Sequence, residues 1–195
     1  MADSESLCDR AHAYSRQGRY HEAEAAYREA VRIDPGRLKG YLGLGVVLRR
    51  QRRSAEAEAV FKHAILLKPD GVSAHMELGG ALFEQARYPE AAAAFREAIR
   101  LRPDFAQAHV SLGLALSRQG GYADAESALR QALILNPNDA TALANLATVL
   151  RRQRKVTAAE VVHREALARD TVPTTARRDL ADTLFKDVPN PARID

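Results

Sequence analysis

The chain has 195 residues, of which 46% are hydrophobic and 28% are charged, and its formal net charge is +4. This balance predicts a soluble, folded protein. The single cysteine, Cys8, excludes an internal disulfide framework and a zinc site built from cysteines. No stretch approaches the roughly 18 consecutive apolar residues of a membrane span, and no apolar signal segment opens the sequence. We therefore expect a cytoplasmic protein that does not contact the membrane.

Prolines recur at a fixed interval through most of the sequence. They stand 34 residues apart, at Pro35, Pro69, Pro103 and Pro137. A period of this length is typical of a helix–turn–helix unit that cannot bury its apolar face alone, so successive units must stack. We predict an all-α protein, an α-solenoid of about five 34-residue units. The predicted bounds are 4–37, 38–71, 72–105, 106–139 and 140–173 for the units, 174–187 for a capping helix and 188–195 for a tail.

The first unit differs from the others. Arg10 stands where later units carry leucine, which is expected of a terminal helix with one face in water. Cys8 and His12 lie four residues apart, a spacing that could bring a nucleophile and a base together on one helix face. No third group is placed to orient the histidine, so we interpret Cys8 as a half-exposed structural cysteine.

The three central units share one pattern. Each opens with Leu-Gly-x-x-Leu, continues with alanine and a large apolar residue, and closes with alanine and proline. A glycine within a helix lowers helix stability by about 1 kcal/mol relative to alanine. We therefore expect each of these glycines to allow a close helix crossing whose packing offsets this loss. Each proline should end its second helix, because it has no N–H group. The small residues and their large counterparts are Gly45, Gly79 and Gly113, with Phe61, Phe95 and Leu129.

The last unit is less regular. His163 replaces the aromatic residue, and Thr171 replaces the closing proline. Beyond it, residues 174–187 carry an apolar stripe at helical spacing, which includes Leu180, Leu184 and Phe185. This stripe predicts a helix that covers the end of the array.

These units resemble the tetratricopeptide repeat (TPR), whose pattern is Leu-Gly-x-x-Tyr in the first helix followed by Ala, Phe, Ala and a closing Pro. The resemblance spans nearly the whole chain. It implies a right-handed superhelix in which the first helix of each unit lines a concave groove. It also implies a non-enzymatic adaptor or scaffold that binds an extended or helical peptide of a partner protein.

The groove positions of the family fall on a mostly apolar set of residues. An alternative is that these side chains pack against the second helices. The two-carboxylate clamp of chaperone-tail receptors is not matched, because Leu42, Val46, Glu77, Gln107 and Ser111 occupy its slots. The predicted groove residues are Leu42, Val46, Met76, Gly80, Val110, Leu114, Asn145 and Thr148.

Arginines concentrate at the turns between first and second helices. They predict a basic edge that would attract an acidic segment of a partner, although cations near helix C-termini are also favoured by the helix dipole alone. Nucleic acid is a less favoured partner, because the tyrosines mostly occupy repeat-core positions and leave no stacking platform. The predicted edge residues are Arg49, Arg50, Arg52, Arg53, Arg151 and Arg152.

No sequence motif for catalysis or cofactor binding is present. His75 and His109 occupy the same slot in adjacent units, but two histidines without a carboxylate or cysteine partner fall short of a metal site. We expect no enzyme activity, no cofactor and no metal. The functional alternatives are a peptide-binding adaptor, a recruiting module of a larger enzyme complex, and a self-assembling scaffold that forms homo-oligomers.

Overall fold

The computed structural model describes residues 3–168, which form ten α-helices and contain no strand. The predicted all-α solenoid is thereby confirmed, while the helix predicted at 174–187 lies outside the described residues. The helices are α1 (Ser4–Arg16), α2 (Tyr20–Ile33), α3 (Leu38–Arg50), α4 (Ser54–Leu67), α5 (Val72–Glu84), α6 (Tyr88–Leu101), α7 (Ala106–Arg118), α8 (Tyr122–Leu135), α9 (Ala140–Arg152) and α10 (Val156–Ala168).

The helices pack in chain order. Each helix contacts the next one along the chain, and each odd-numbered helix also contacts the odd-numbered helix that follows it. The described even-numbered helices make no comparable contact with one another. The odd-numbered helices therefore lie on the inner, concave side of the array.

Glycines allow the two helices of a pair to approach closely. A Cβ atom on Gly79 of α5 would lie 2.5 Å from Cε1 of Phe95 on α6, and one on Gly113 would lie 2.6 Å from Cγ of Leu129. Gly45 meets the ring of Phe61 in the same way. The sequence prediction that small residues accommodate large ones is confirmed at these three crossings.

Prolines end the even-numbered helices, as the sequence predicts. Helices α2, α4, α6 and α8 each stop two residues before a proline. The carbonyl groups of two of these prolines accept hydrogen bonds from histidines. Nε2 of His75 donates to the oxygen of Pro69, and Nε2 of His109 donates to the oxygen of Pro103, both at 2.9 Å. The two histidines therefore tie the start of a first helix to the turn before it.

The core runs without a break between the helix pairs. One cluster of buried residues extends from Leu7 to Ala81 and a second extends from Leu82 to Ala159. Leu78 packs against both clusters and joins them. None of the helices within residues 3–168 has both the length and the apolar character that a membrane span requires.

The N-terminal helix corrects one expectation. The side chain of Cys8 is fully buried, not half-exposed, and burial raises the pKa of its thiol. A thiol that resists deprotonation is a poor nucleophile, so Cys8 is a packing residue. Arg10 is exposed, as expected for the outer face of the first helix.

Candidate protein-interaction groove

Four of the predicted groove residues form a partly exposed apolar line on the concave helices. Leu42 and Val46 lie on α3, Met76 lies on α5 and Leu114 lies on α7, and each side chain is neither fully buried nor fully exposed. We call these four residues the groove stripe. Their arrangement lets a partner contact apolar surface while the same side chains support the core beneath.

Val110 does not belong to this exposed line. Its side chain is 0% exposed and lies within the buried cluster that contains Leu112 and Leu116. The expectation that Val110 faces a partner is therefore wrong. The alternative, that some groove positions pack against neighbouring helices, applies at this residue.

The groove stripe borders an apolar cavity of about 480 Å³ at its N-terminal end. The ring of Tyr27 reaches over the backbone of Gly43, where even a Cβ atom would collide with it. Tyr27 is buried and thus forms a firm wall of the cavity. The lining residues are His12, Ser15, Tyr27, Leu38, Lys39, Leu42, Gly43, Val46, Ser73 and Glu77.

Arg49 crosses the groove next to this cavity. Its guanidinium lies over Gly80, where a Cβ atom would be 2.8 Å from Cζ of the arginine. It donates to Glu77 at 2.5 Å and to Glu84 at 2.6 Å. Burial alone would lower the pKa of Arg49, but hydrogen bonding to Glu84 and the charge of Glu77 outweigh this effect and raise it. Gly80 is therefore covered by a permanently charged side chain.

A second cavity, of about 710 Å³, adjoins the first. Val46 and Glu77 line both cavities, so the two form one continuous depression. We call the first the apolar cavity and the second the cationic cavity, because three arginines line the latter. Its lining residues are Val46, Arg49, Arg50, Arg52, Ser54, Glu77 and Glu84.

The far end of the groove is polar. Nδ2 of Asn145 donates to the carbonyl of Thr141 at 2.7 Å, and the hydroxyl of Thr148 donates to the carbonyl of Ala144 at 3.0 Å. Both bonds stay within α9. Each side chain keeps an oxygen that can accept a hydrogen bond from a partner.

The predicted basic edge consists of two kinds of arginine. Arg49 is held by Glu77 and Glu84, and Arg53 donates to Glu24 at 2.8 Å and to Glu56 at 2.6 Å. Arg151 is partly buried. By contrast, the exposed residues Arg50, Arg52 and Arg152 form no ion pair with any residue from 3 to 168.

A series of ion pairs, which we call the ladder, links successive helix pairs and was not predicted from the sequence. Each links a carboxylate of one even-numbered helix to a cation 29 residues later, in the pairs Glu24–Arg53, Glu58–Arg87 and Glu126–Lys155. The sequence does contain a sign of these pairs, because the three glutamates occupy equivalent positions of the 34-residue repeat. The same slot holds Ala92, and Gly121 stands 29 residues after it, so this step of the ladder is uncharged.

The described residues contain no cluster suited to holding a metal ion. Within residues 3–168, no set of three or more His, Cys, Asp or Glu side chains is placed to hold a metal ion. The rings of His75 and His109 are committed to the proline carbonyls. What the concave surface supplies is a continuous depression that is apolar at one end and charged at the other.

Comparisons with solved structures identify the fold. The chain matches a crystal structure of MamA (TM-score 0.76, 21% identity, 88% of this chain and 96% of that chain). It matches PilF of Pseudomonas aeruginosa (TM-score 0.79, 22% identity, 93% and 84%). It also matches YrrB, described as a TPR protein with an unusual peptide-binding site (TM-score 0.74, 20% identity, 91% of each chain). No curated protein matches the sequence.

A protein-family comparison covers almost the whole sequence. The family described as the cilia and flagella-associated protein 70 C-terminal domain matches residues 1–191. The 34-residue period, the ten described helices and the small-to-large crossings are those of tetratricopeptide repeats. The chain belongs to the family of the cilia and flagella-associated protein 70 C-terminal domain, a family of TPR proteins.

Proposed function

We propose that this protein is an adaptor or scaffold that binds a peptide or helix of a partner protein in its concave groove. The apolar cavity beside the groove stripe is the observation that carries this proposal. A cavity of about 480 Å³ falls within the range of small-ligand pockets, which bury most of what they bind. TPR proteins are typically interaction modules without catalysis, which supports the same conclusion.

A cytoplasmic location is part of the proposal. The buried thiol of Cys8 supports it, because the only cysteine of the chain serves packing and not a disulfide bond. An acidic segment of the partner would meet exposed cations beside the groove, such as Arg50 and Arg52, before it enters the groove.

The test is a selection of random 12-residue displayed peptides against the full chain. Enriched peptides should bind Leu42→Glu at least about tenfold more weakly, because a charge replaces an apolar contact of roughly 1.5–3 kcal/mol. The matched control is Leu66→Glu, which introduces the same charge at a side chain on α4 that is 78% exposed and lies outside the groove. Circular dichroism of both variants establishes that the fold is retained.

Two outcomes would contradict the proposal. One is a selection that enriches no peptide. The other is a set of peptides that bind Leu42→Glu as well as they bind the unchanged chain but lose affinity for Leu66→Glu. The second outcome would move the interaction surface to the even-numbered helices.

A further inference from the structure

The apolar and cationic cavities lie side by side, and this juxtaposition specifies a ligand. An apolar depression alone accepts many partners. Here its lining continues through Val46 and Glu77 into a depression lined by Arg49, Arg50 and Arg52. A single bound segment that fills the first cavity must therefore pass close to the second.

Arg49 already binds both carboxylates of the cationic cavity and offsets one of their two negative charges. Glu77 and Glu84 both accept hydrogen bonds from Arg49, and Glu84 also accepts one from the hydroxyl of Ser54 at 2.5 Å. Burial tends to raise the pKa of Glu84, but hydrogen bonds from Arg49 and Ser54 and the nearby charges of Arg49 and Arg50 lower it on balance. Glu84 thus stays ionised, and it holds Arg49 in place across the groove.

Arg50 and Arg52 remain as the cations that can receive a ligand. Both side chains are exposed, and neither forms an ion pair with any residue described between 3 and 168. The cavity contains three arginines and two glutamates, so its formal charge is +1. This charge attracts a carboxylate from a partner and repels a basic segment, while a neutral segment gains no such attraction.

The spacing of the two cavities sets the spacing in the ligand. Arg50 follows Leu42 by eight residues on α3, which corresponds to about 12 Å along the helix axis. An extended peptide advances about 3.3 Å per residue, so its apolar and acidic side chains should be three to four residues apart.

Resting on the proposed function, we propose that the groove recognises an extended peptide with one large apolar side chain and acidic side chains three to four residues away. The apolar side chain enters the apolar cavity between Tyr27, Leu42 and Val46. The acidic side chains pair with Arg50 and Arg52. Arg49 is a positioning residue, since it holds Glu77 and Glu84 in the cationic cavity.

The experiment is a titration of the ¹⁵N-labelled full chain with defined 12-residue peptides, followed by nuclear magnetic resonance, which detects millimolar binding. The first peptide has a Gly/Ser background with one leucine and with glutamates three and four residues after it. Three companions replace the leucine with serine, both glutamates with glutamine, or both glutamates with lysine. The proteins are the unchanged chain, Arg50→Glu with Arg52→Asp, and a matched control.

The control exploits the repeat. Arg152→Glu with Arg154→Asp makes the same charge change at the equivalent positions 102 residues later. Arg52 and Arg154 also share the same left-handed backbone, with φ of 63° and 61°. Aspartate is used at both because it tolerates that conformation.

We expect the leucine–glutamate peptide to shift the amides of residues 42–54 and to bind at least about threefold more tightly than each companion. The Arg50/Arg52 variant should reverse the preference and favour the lysine peptide, while the Arg152/Arg154 control keeps the original order. The inference is overturned if the Arg50/Arg52 variant still prefers the glutamate peptide, or if the Arg152/Arg154 control loses affinity for that peptide to the same extent. It is also overturned if a single-stranded oligonucleotide binds more tightly than the peptide and shifts the same amides. If display-selected peptides bind in the groove without any acid requirement, the inference fails and the proposed function stands. If no peptide binds, both fail.

Discussion

At the level of single residues, one position in each helix pair adopts an unusual backbone. The residue that follows the turn glutamine has a positive φ in all five pairs, at Gly18, Arg52, Ala86, Gly120 and Arg154. In the second pair, the amide of Arg53 donates to the carbonyl of Leu48, and that of Arg52 donates to Arg49. These two bonds form a Schellman motif, which satisfies the last carbonyls of the helix and requires the left-handed conformation.

Ala86→Gly should stabilise the protein. Ala86 has φ of 58°, its side chain is exposed, and glycine adopts this conformation without the steric cost that a Cβ atom imposes. We expect a gain of about 0.5–1 kcal/mol in the free energy of unfolding, measured in urea. Gly120→Ala, at the equivalent position, should have the opposite sign. An Ala86→Gly variant that is less stable than the unchanged chain would refute this explanation.

His163 should make stability depend on pH. Burial lowers the pKa of this side chain, the charge of Arg151 lowers it further, and its hydrogen bond to the carbonyl of Ala159 only partly opposes the shift. The unfolded chain therefore binds a proton more readily than the folded one, so stability falls as the pH drops below about 6.5. Between pH 7.5 and 5.5 this effect reaches at most about 1.4 kcal/mol.

The variant His163→Leu should remove this component of the pH dependence. Leucine already fills the equivalent position of the preceding pair, as Leu129, so the change preserves packing. Urea unfolding of both proteins at pH 5.5 and 7.5 measures the difference. An identical pH slope in the two proteins would show that His163 does not titrate in this range.

At the level of helices, ion pairs between largely buried carboxylates and partly exposed cations connect one helix pair to the next. Glu58 on α4 is only 8% exposed and accepts hydrogen bonds from Lys62, Gln85 and Arg87. Burial would raise the pKa of Glu58, but these hydrogen bonds and the charges of Lys62 and Arg87 outweigh it. The carboxylate therefore stays ionised, and removal of a cation leaves part of its charge uncompensated.

Arg87→Ala should lower the midpoint of thermal unfolding by several degrees. The control is Arg100→Ala, because Arg100 pairs with Glu97 on the same exposed helix surface and bridges no two helices. Exposed pairs of this kind contribute little, so its effect should stay below about 2 °C. Differential scanning calorimetry distinguishes the two variants. Equal shifts would mean that the ladder has no special role in coupling the helix pairs.

Some features of this protein could be predicted from its sequence, and others depend on how the helix pairs stack. The 34-residue period predicted the solenoid, and the small and large residues predicted the crossings at Gly79 and Gly113, because both depend on local sequence alone. Exposure in the groove could not be predicted in this way. The short side chain of Val110 stays within the core, while the longer Leu42 and Met76 at equivalent positions reach the surface. Ion pairs 29 residues apart also depend on how neighbouring pairs stack.

At the level of the whole molecule, each of the helices described within residues 3–168 makes its main contacts with near neighbours in the chain. Arrays of this kind gain stability from each unit and from each interface between adjacent units. A local defect therefore affects the surrounding pairs more than distant ones. The groove stripe extends over three pairs, so its geometry depends on each of the interfaces between them.

Gly79→Leu tests this property, because a Cβ atom at Gly79 would already lie 2.5 Å from the ring of Phe95. We expect the larger side chain to separate α5 from α6, which removes hydrogen-exchange protection in α4 to α7 while α1, α2 and α9 keep most of theirs. The thermal transition should broaden accordingly. The control is Gly36→Leu, in an exposed turn where a Cβ atom meets only Asp34 at 3.5 Å, and it should leave exchange unchanged. Uniform loss of protection from α1 to α10 in Gly79→Leu would mean that the array unfolds as one cooperative unit.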